Sequence, residues 1–472
     1  MEICCIIFYS SCLNSELNMR RIINCLFLLT FGVFSLLRGV MSDDESSSFR
    51  IPFTPARYQR TPRLLAADSD QKTIMLTGYE GINYIATISI GSTNATFQVL
   101  LDTTSSILWV PDIALSTNSS YNKTYFNCNQ STTCTVINED NISLSYGVGE
   151  VEVYLAKDNV YFENVFEVTN LSIGLAVSIE NLEGMNADGI LGLGFSNQSN
   201  VPTFLDLLYQ EGKINNRMFS LYLSDNIDSG IDMNSELIIN GFDSKKMNGT
   251  SFSYLKTAGP NEWSLQLMGL NIGNVSIPFN FEAPKASLAT SRAYIAFPAP
   301  IVSDIVNILR NNYSIECAYD QKNPPRCSCG SGTTNFPPLV LGFLDDTTTD
   351  ILLNLTVVPD EYVSYAGSYC EIQISTIGSF ETVWPLGNNF LRNYYVMFNV
   401  DNSSIGFANL TRIPITKLNP LDFLYAGIVI LIALLMVAFW VLVVRNTVCK
   451  KRVGRDSDFH PLQQSMSEEE KQ

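Results

Sequence analysis

The feature that most restricts how this chain can fold is one short pattern that occurs twice, far apart. In the first half, "TFQVLLD" ends at Asp102-Thr103, and the glycine-rich loop "ADGILGLGF" follows it, with Gly189 at its start. In the second half, a strand-like stretch ends at Ala289-Thr290, and "VWPLGNNF" follows it, with Gly387 in the matching place. Each half couples a strand–x–Thr turn to an apolar loop with a glycine. Duplication of this kind predicts two similar lobes that face each other across a cleft. A length of 472 residues agrees, because it is too long for one ordinary core.

The local pattern is that of β structure. "YIATISIG" alternates, with Tyr84, Ala86, Ile88 and Ile90 on one face; "GSTN" turns, and Phe97, Val99 and Leu101 share a face of the next strand. This predicts a hairpin that delivers Asp102 at its end. Short strands between Gly, Asn and Ser turns continue to about residue 410, interrupted by helical stretches at 201–214 and 298–311. The fold class is mostly β.

Charge and composition exclude several functions. The net charge is −17, which argues against nucleic acid as a partner. The only histidine is His460, near the C-terminus, so Ser-His-Asp and Cys-His catalysis and most zinc sites are ruled out. No metal and no cofactor is expected.

Both ends carry targeting signals. Arg20 and Arg21 precede an apolar run from Ile22 to Leu37, so residues 1–42 read as a signal peptide with translation from Met19. Residues 43–78 are polar and read as a pro-segment or linker. Phe423–Val444, within a transmembrane helix placed at 421–444, is 22 residues without a charge. At 1.5 Å per residue it spans roughly 33 Å, enough to cross a bilayer. Arg445, Lys450, Lys451, Arg452 and Arg455 follow, which places 445–472 in the cytosol as the tail of a single-pass type I membrane protein. In that tail "FHPL" has the spacing of a sorting signal, and Ser465 and Ser467 precede an acidic run suited to phosphorylation. Six cysteines lie in the lumenal stretch, Cys128, Cys134, Cys317, Cys327, Cys329 and Cys370, an even number that suggests three disulfides among 15 possible pairings. Thirteen N-x-S/T sequons fall in the same stretch, at Asn94, Asn118, Asn122, Asn129, Asn141, Asn170, Asn197, Asn248, Asn274, Asn312, Asn354, Asn402 and Asn409. The body is therefore expected to be a glycoprotein in the secretory or endolysosomal pathway or at the cell surface.

Taken together, these motifs resemble the pepsin-like aspartic protease family. "LLDTTSSILWVPD" (100–112) resembles its first active-site motif, and "SLSYGVGEVEV" (143–153) its flap hairpin, with Tyr146 as the flap tyrosine. "ADGILGLGF" (187–195) is similar to the loop that braces the first active site, and "PLGNNFLRNYYVMFNVDNSSIGFA" (385–408) to the end of the second lobe. The resemblance covers about 79–413 and implies a bilobal fold with a central cleft, residues 79–250 forming the N-terminal lobe and 251–415 the C-terminal lobe. It implies the disulfides Cys128–Cys134 and Cys329–Cys370. That leaves Cys317 with Cys327, although Cys327 and Cys329 can exchange roles. It further implies that Ser105 hydrogen-bonds Asp102, that Trp109 braces Tyr146, and that Thr103 and Thr290 cross-link the two active-site turns. Tyr146 either covers a bound peptide or simply packs on Trp109.

In this family two aspartates, one per lobe, share a proton; one acts as base on a water and the other polarises the substrate carbonyl. Asp102 fills the first position. Counting back from Pro298 places the second on Ala289, and no carboxylate stands nearby: Glu282 is upstream and Asp304 falls on a helix. The glycines after each Asp-Thr are replaced by Thr104 and Ser291, whose Cβ atoms crowd the cleft floor. Asn388 departs from the usual Asp after Leu-Gly. Arg292 stands where a small hydroxyl residue is usual; it either pairs with Asp102, since a stranded buried charge is costly, or points into solvent along the cleft wall. The resemblance therefore implies a monomeric, membrane-anchored pseudoprotease that binds peptide or protein in its cleft. An active aspartic endopeptidase and a surface glycoprotein with a vestigial cleft are the alternatives.

Overall fold

Strands β1 (Lys72–Tyr79), β2 (Asn83–Ile90) and β3 (Ala95–Asp102) open the computed structural model. It describes residues 71–410 apart from short internal stretches, together with Met436 and Val443. β2 and β3 pair as the alternation requires, from Ile85↔Leu100 to Ile90↔Ala95. Tyr84, Ala86, Ile88, Ile90, Phe97, Val99 and Leu101 enter the main core. The intervening residues are not all solvated: Ile85 and Leu100 join Trp109, Val153 and Ile190 in a second apolar cluster on the opposite face. A strand buried on both faces explains why "QVLLD" departs from strict alternation at its end.

Five further strands complete the first active-site half: β4 (Leu108–Pro111), β5 (Thr135–Ser145), β6 (Glu150–Phe162), β7 (Phe166–Glu180) and β8 (Gly189–Gly192). β3 runs parallel to β8, with Asp102 opposite Gly192. All eight belong to a 13-stranded sheet that also takes in Met218–Tyr222, Ile231–Ile239, Ser253–Lys256, Tyr394–Asn399 and Ser404–Asn409. The last strands of the sequence thus lie beside Met218–Tyr222 and tie the two halves of the chain into one sheet. The second half has its own six-stranded sheet, in which Lys285–Leu288 runs parallel to Val383–Leu386. That pairing repeats the β3–β8 relation, so the sequence repeat is a structural one. The architecture is mostly β and bilobal.

The three disulfides are Cys128–Cys134 and Cys329–Cys370, as the resemblance implied, and Cys317–Cys327, the pair left by elimination. Helix α1 is Phe204–Gln210, shorter than the 201–214 stretch, because a capping box between Thr203 and Asp206 starts it and Gly212, at φ +68°, follows its end. Helix α2, Ala299–Tyr313, begins one residue after the expected start, behind Pro298, and runs two residues further. The boundary at residue 78 needs correction. β1 begins at Lys72 and pairs along its length with Ile231–Ile239, so the folded body starts inside the stretch read as pro-segment or linker. The signal peptide (1–42), most of 43–78, the segment 421–444 and the tail 445–472 lie outside the described residues, apart from Met436 and Val443. Among the described residues no helix is long and apolar enough to cross a membrane. The sequon residues Asn94, Asn129, Asn141, Asn170, Asn248, Asn274, Asn312, Asn354, Asn402 and Asn409 are all exposed; Asn118, Asn122 and Asn197 lie outside the described residues.

One polar tie joins α1 to the turn before the last strand. Arg217 donates to Asp206 at 2.8 Å and, through Nε, to Asp401 at 2.8 Å, while its backbone N–H also donates to Asp401. Burial alone would push the Asp206 carboxyl up, but hydrogen bonds from Arg217 and Thr203 and the Arg217 charge hold it below its ordinary value. A depressed folded-state pKa stabilises the fold above the unfolded-state value and loses that contribution as pH falls through the folded one. Thermal melts should therefore show the wild type losing more stability than Asp206→Asn from about pH 4 downward. At neutral pH the variant should be less stable by about 1–3 kcal/mol.

Candidate active site

Asp102 is the last residue of β3 and is completely buried. Its turn is held from below by the loop that follows β8: Leu193 N–H donates to Asp102 O at 2.8 Å, and Gly194 N–H to Ser105 O at 2.7 Å. A Cβ on Gly192 would collide with the Ser106–Ile107 backbone, so this loop must carry glycine there. The second half repeats the device. Lys285–Leu288 delivers Ala289, whose N–H donates to Leu386 O at 3.0 Å. Asn388 N–H donates to Arg292 O at 2.8 Å, and a Cβ on Gly387 would lie 2.7 Å from that same oxygen. Asn388 also donates through Nδ2 to Thr290 O at 2.9 Å, so it braces the turn from its departed position.

The two turns meet through a reciprocal set of bonds. Thr103 N–H donates to Thr290 Oγ1 at 3.0 Å, and Thr290 N–H to Thr103 Oγ1 at 3.2 Å. Thr103 Oγ1 donates to Leu288 O at 2.5 Å and Thr290 Oγ1 to Leu101 O at 2.9 Å. The near two-fold relation that carries Thr103 onto Thr290 carries Leu101 onto Leu288, and therefore Asp102 onto Ala289. Ala289 is buried at the counterpart position. Of the upstream and downstream carboxylates, Asp304 lies on α2, and Glu282 lies outside the described residues.

One expectation about Asp102 is corrected and one alternative is decided. Ser105 does not hydrogen-bond it: Ser105 Oγ is buried beside Tyr146, close enough to ease the phenol, yet meets no atom in hydrogen-bonding geometry. The bonds come from Thr104, through N–H at 2.9 Å and Oγ1 at 2.6 Å, both to Oδ1. Nor does half-buried Arg292 form an ion pair with Asp102. Ser291 reaches across from the other half instead, and its Oγ donates to the same Oδ1 at 2.8 Å. The other oxygen, Oδ2, has no protein partner. Arg292 is held by its backbone, with N–H on Ala289 O and its carbonyl on Asn388, while the shorter Ser291 supplies the hydroxyl. Sequence reasoning registered Thr104 and Ser291 only as crowding; the signal available was that both replacements carry hydroxyls.

Tyr146 lies at the end of the β5–β6 hairpin, where its N–H donates to Gly149 O at 2.8 Å. Trp109 Nε1 donates to the Tyr146 hydroxyl at 2.8 Å, and the rings lie 6.4 Å apart. Burial first, and then the Asp102 charge, push the Tyr146 phenol well above its ordinary value. The tyrosine is therefore a neutral group over the Asp102 side of the cleft, braced by Trp109 as expected.

Comparison with known proteins agrees with this geometry. The family model for eukaryotic aspartyl protease matches residues 83–410. The chain is 29% identical to pepsin A of Bos taurus over 343 residues, covering 71% of this chain and 86% of that protein. It is 26% identical to cathepsin E of Rattus norvegicus, over 71% of this chain and 81% of the other. Renin of Echis ocellatus is 27% identical, over 71% and 82%.

The cross-link makes a direct prediction. Thr290→Val leaves the buried Thr103 N–H and Leu101 carbonyl without that partner, and equilibrium denaturation should register a loss of about 2–5 kcal/mol. Thr290→Ser keeps the hydroxyl and should recover most of it.

Proposed function

The chain belongs to the eukaryotic aspartyl protease family, and from that premise we propose that it is a membrane-anchored, glycosylated member that binds peptide or protein in its cleft without hydrolysing it. The observation that carries this reading is the methyl group of Ala289 at the counterpart position of Asp102. Hydrolysis by this fold needs one carboxylate to take a proton from water while a second, protonated, polarises the substrate carbonyl. A methyl group can do neither. Loss of one general acid or base typically costs roughly 10²–10⁴ in rate, and more where two groups act as a unit.

The parts that hold a ligand are kept while the chemical pair is broken. The flap hairpin retains Tyr146 and its Trp109 brace, and the Thr103–Thr290 cross-link keeps the two turns in place. The uncharged run Phe423–Val444 and the basic residues after it support a single-pass type I anchor, with the body in the lumen of the secretory or endolysosomal pathway or at the cell surface. The exposed sequons support glycosylation of that body. The ligand is a peptide or protein segment, and the body works as a monomer.

Digestion of a peptide library by the purified body at about pH 3 to 6 tests this reading. The wild type should give the same cleavage profile as Asp102→Ala, and library peptides should nonetheless be retained on the immobilised body. Cleavage that pepstatin suppresses and Asp102→Ala abolishes would overturn it.

A further inference from the structure

Thr104 and Ser291 do more than narrow the cleft floor. A carboxylate oxygen offers about two lone-pair directions. Asp102 Oδ1 already accepts three bonds, from Thr104 N–H, Thr104 Oγ1 and Ser291 Oγ. We propose that these two hydroxyls are a second block on hydrolysis, independent of Ala289: they fill Oδ1, the Asp102 oxygen that Ser291 of the Ala289 turn reaches, so that a water facing position 289 is left only Oδ2, which has no protein partner. A carboxylate returned to position 289 would then not restore activity by itself. This rests on the reading of the chain as a non-hydrolysing binder and goes one step beyond it.

The two hydroxyls act from opposite sides. Thr104 follows Asp102 in its own turn, and its side chain is exposed at the cleft surface. Its backbone N–H bond to Oδ1 does not depend on the side chain, so glycine at 104 leaves one donor in place. Ser291 comes from the other turn, two residues beyond Ala289, and makes the cross-lobe contact with Asp102 that a facing carboxylate would otherwise share through a proton. With either hydroxyl present, Oδ1 still has two donors and no direction left for water. Both must be removed. Neither belongs to the Thr103–Thr290 cross-link, so the scaffold does not depend on them.

With both removed and a carboxyl restored at 289, the reaction balances. Water's oxygen bonds to the scissile carbonyl carbon as its proton passes to Asp102, and the carbonyl oxygen takes the proton held by the restored carboxyl. The C–N bond then breaks as Asp102 returns its proton to the amine, and the diol gives a proton back to position 289. No further reactant is needed.

The experiment compares wild type, Ala289→Asp, and Ala289→Asp with Thr104→Gly and Ser291→Gly, with melting curves for each. Peptide-library digestion is one readout. Calorimetric binding of pepstatin, whose statine hydroxyl takes the place of the water, is the other. Ala289→Asp alone should stay at the Asp102→Ala background. The triple variant should cleave at least about 10²-fold above it, lose this with Asp102→Asn, and bind pepstatin at least about tenfold more tightly than Ala289→Asp. If glycine unfolds the body, Thr104→Ala with Ser291→Ala in the Ala289→Asp background is read in the same way. Equal cleavage by Ala289→Asp and the triple variant would overturn the proposal, as would a folded triple variant that neither cleaves nor gains pepstatin binding. Hydrolysis by the wild type would instead overturn the parent reading.

Discussion

The structure turns on the reciprocal bonds between Thr103 and Thr290. Each threonine uses one hydroxyl twice, as acceptor from the opposite backbone N–H and as donor to an opposite carbonyl. All four backbone groups are deep in the protein, where an unpaired polar atom is expensive. The bonds therefore fix the relative position of two turns that come from distant parts of the chain. The Asp102 side chain, the flap above it and the Ala289 methyl all take their places from this junction.

From that constraint the rest of the site follows. Because the junction is symmetric, what stands beside each threonine is directly comparable, and the comparison is Asp102 against Ala289. A buried carboxylate without its partner has to be satisfied by something. Its Oδ1 is satisfied by three donors, one of them across the junction, rather than by a cation, while Oδ2 has no protein partner. Neutral hydroxyls suit the place because they are short and can turn their hydrogen toward the acid, whereas Arg292 is tied by its backbone to Ala289 and Asn388. The same arrangement leaves Oδ1 with no direction free for a water.

Much of this was legible in the sequence because it depends on short, local patterns. The β2–β3 hairpin, the position of Asp102 at its end and the paired glycine loops follow from alternation and turn chemistry. The cysteine pairing is legible too, because the resemblance supplies two pairs that counting cannot and elimination leaves the third. What escaped were relations between side chains distant in sequence. The Ser291–Asp102 bond joins residues 189 apart in the chain, and nothing in either local segment records it. Arg217 bridging Asp206 and Asp401 is invisible for the same reason. The strand at Lys72–Tyr79 was missed differently: "KTIMLTGY" is short and mixed, and only pairing with Ile231–Ile239 makes it a strand. Ser105 is placed by analogy, and the hydroxyl that bonds Asp102 within its own turn is that of Thr104 instead.

Neutron diffraction from a deuterium-exchanged crystal of the body tests the central claim most directly, because it locates hydroxyl hydrogens and water orientations that X-rays at ordinary resolution do not show. The account predicts the Ser291 and Thr104 deuterons both directed at Asp102 Oδ1, with no solvent oxygen in hydrogen-bonding distance of that atom. A water bound to Asp102 Oδ1, with the Ser291 hydroxyl turned away from it, would contradict the account.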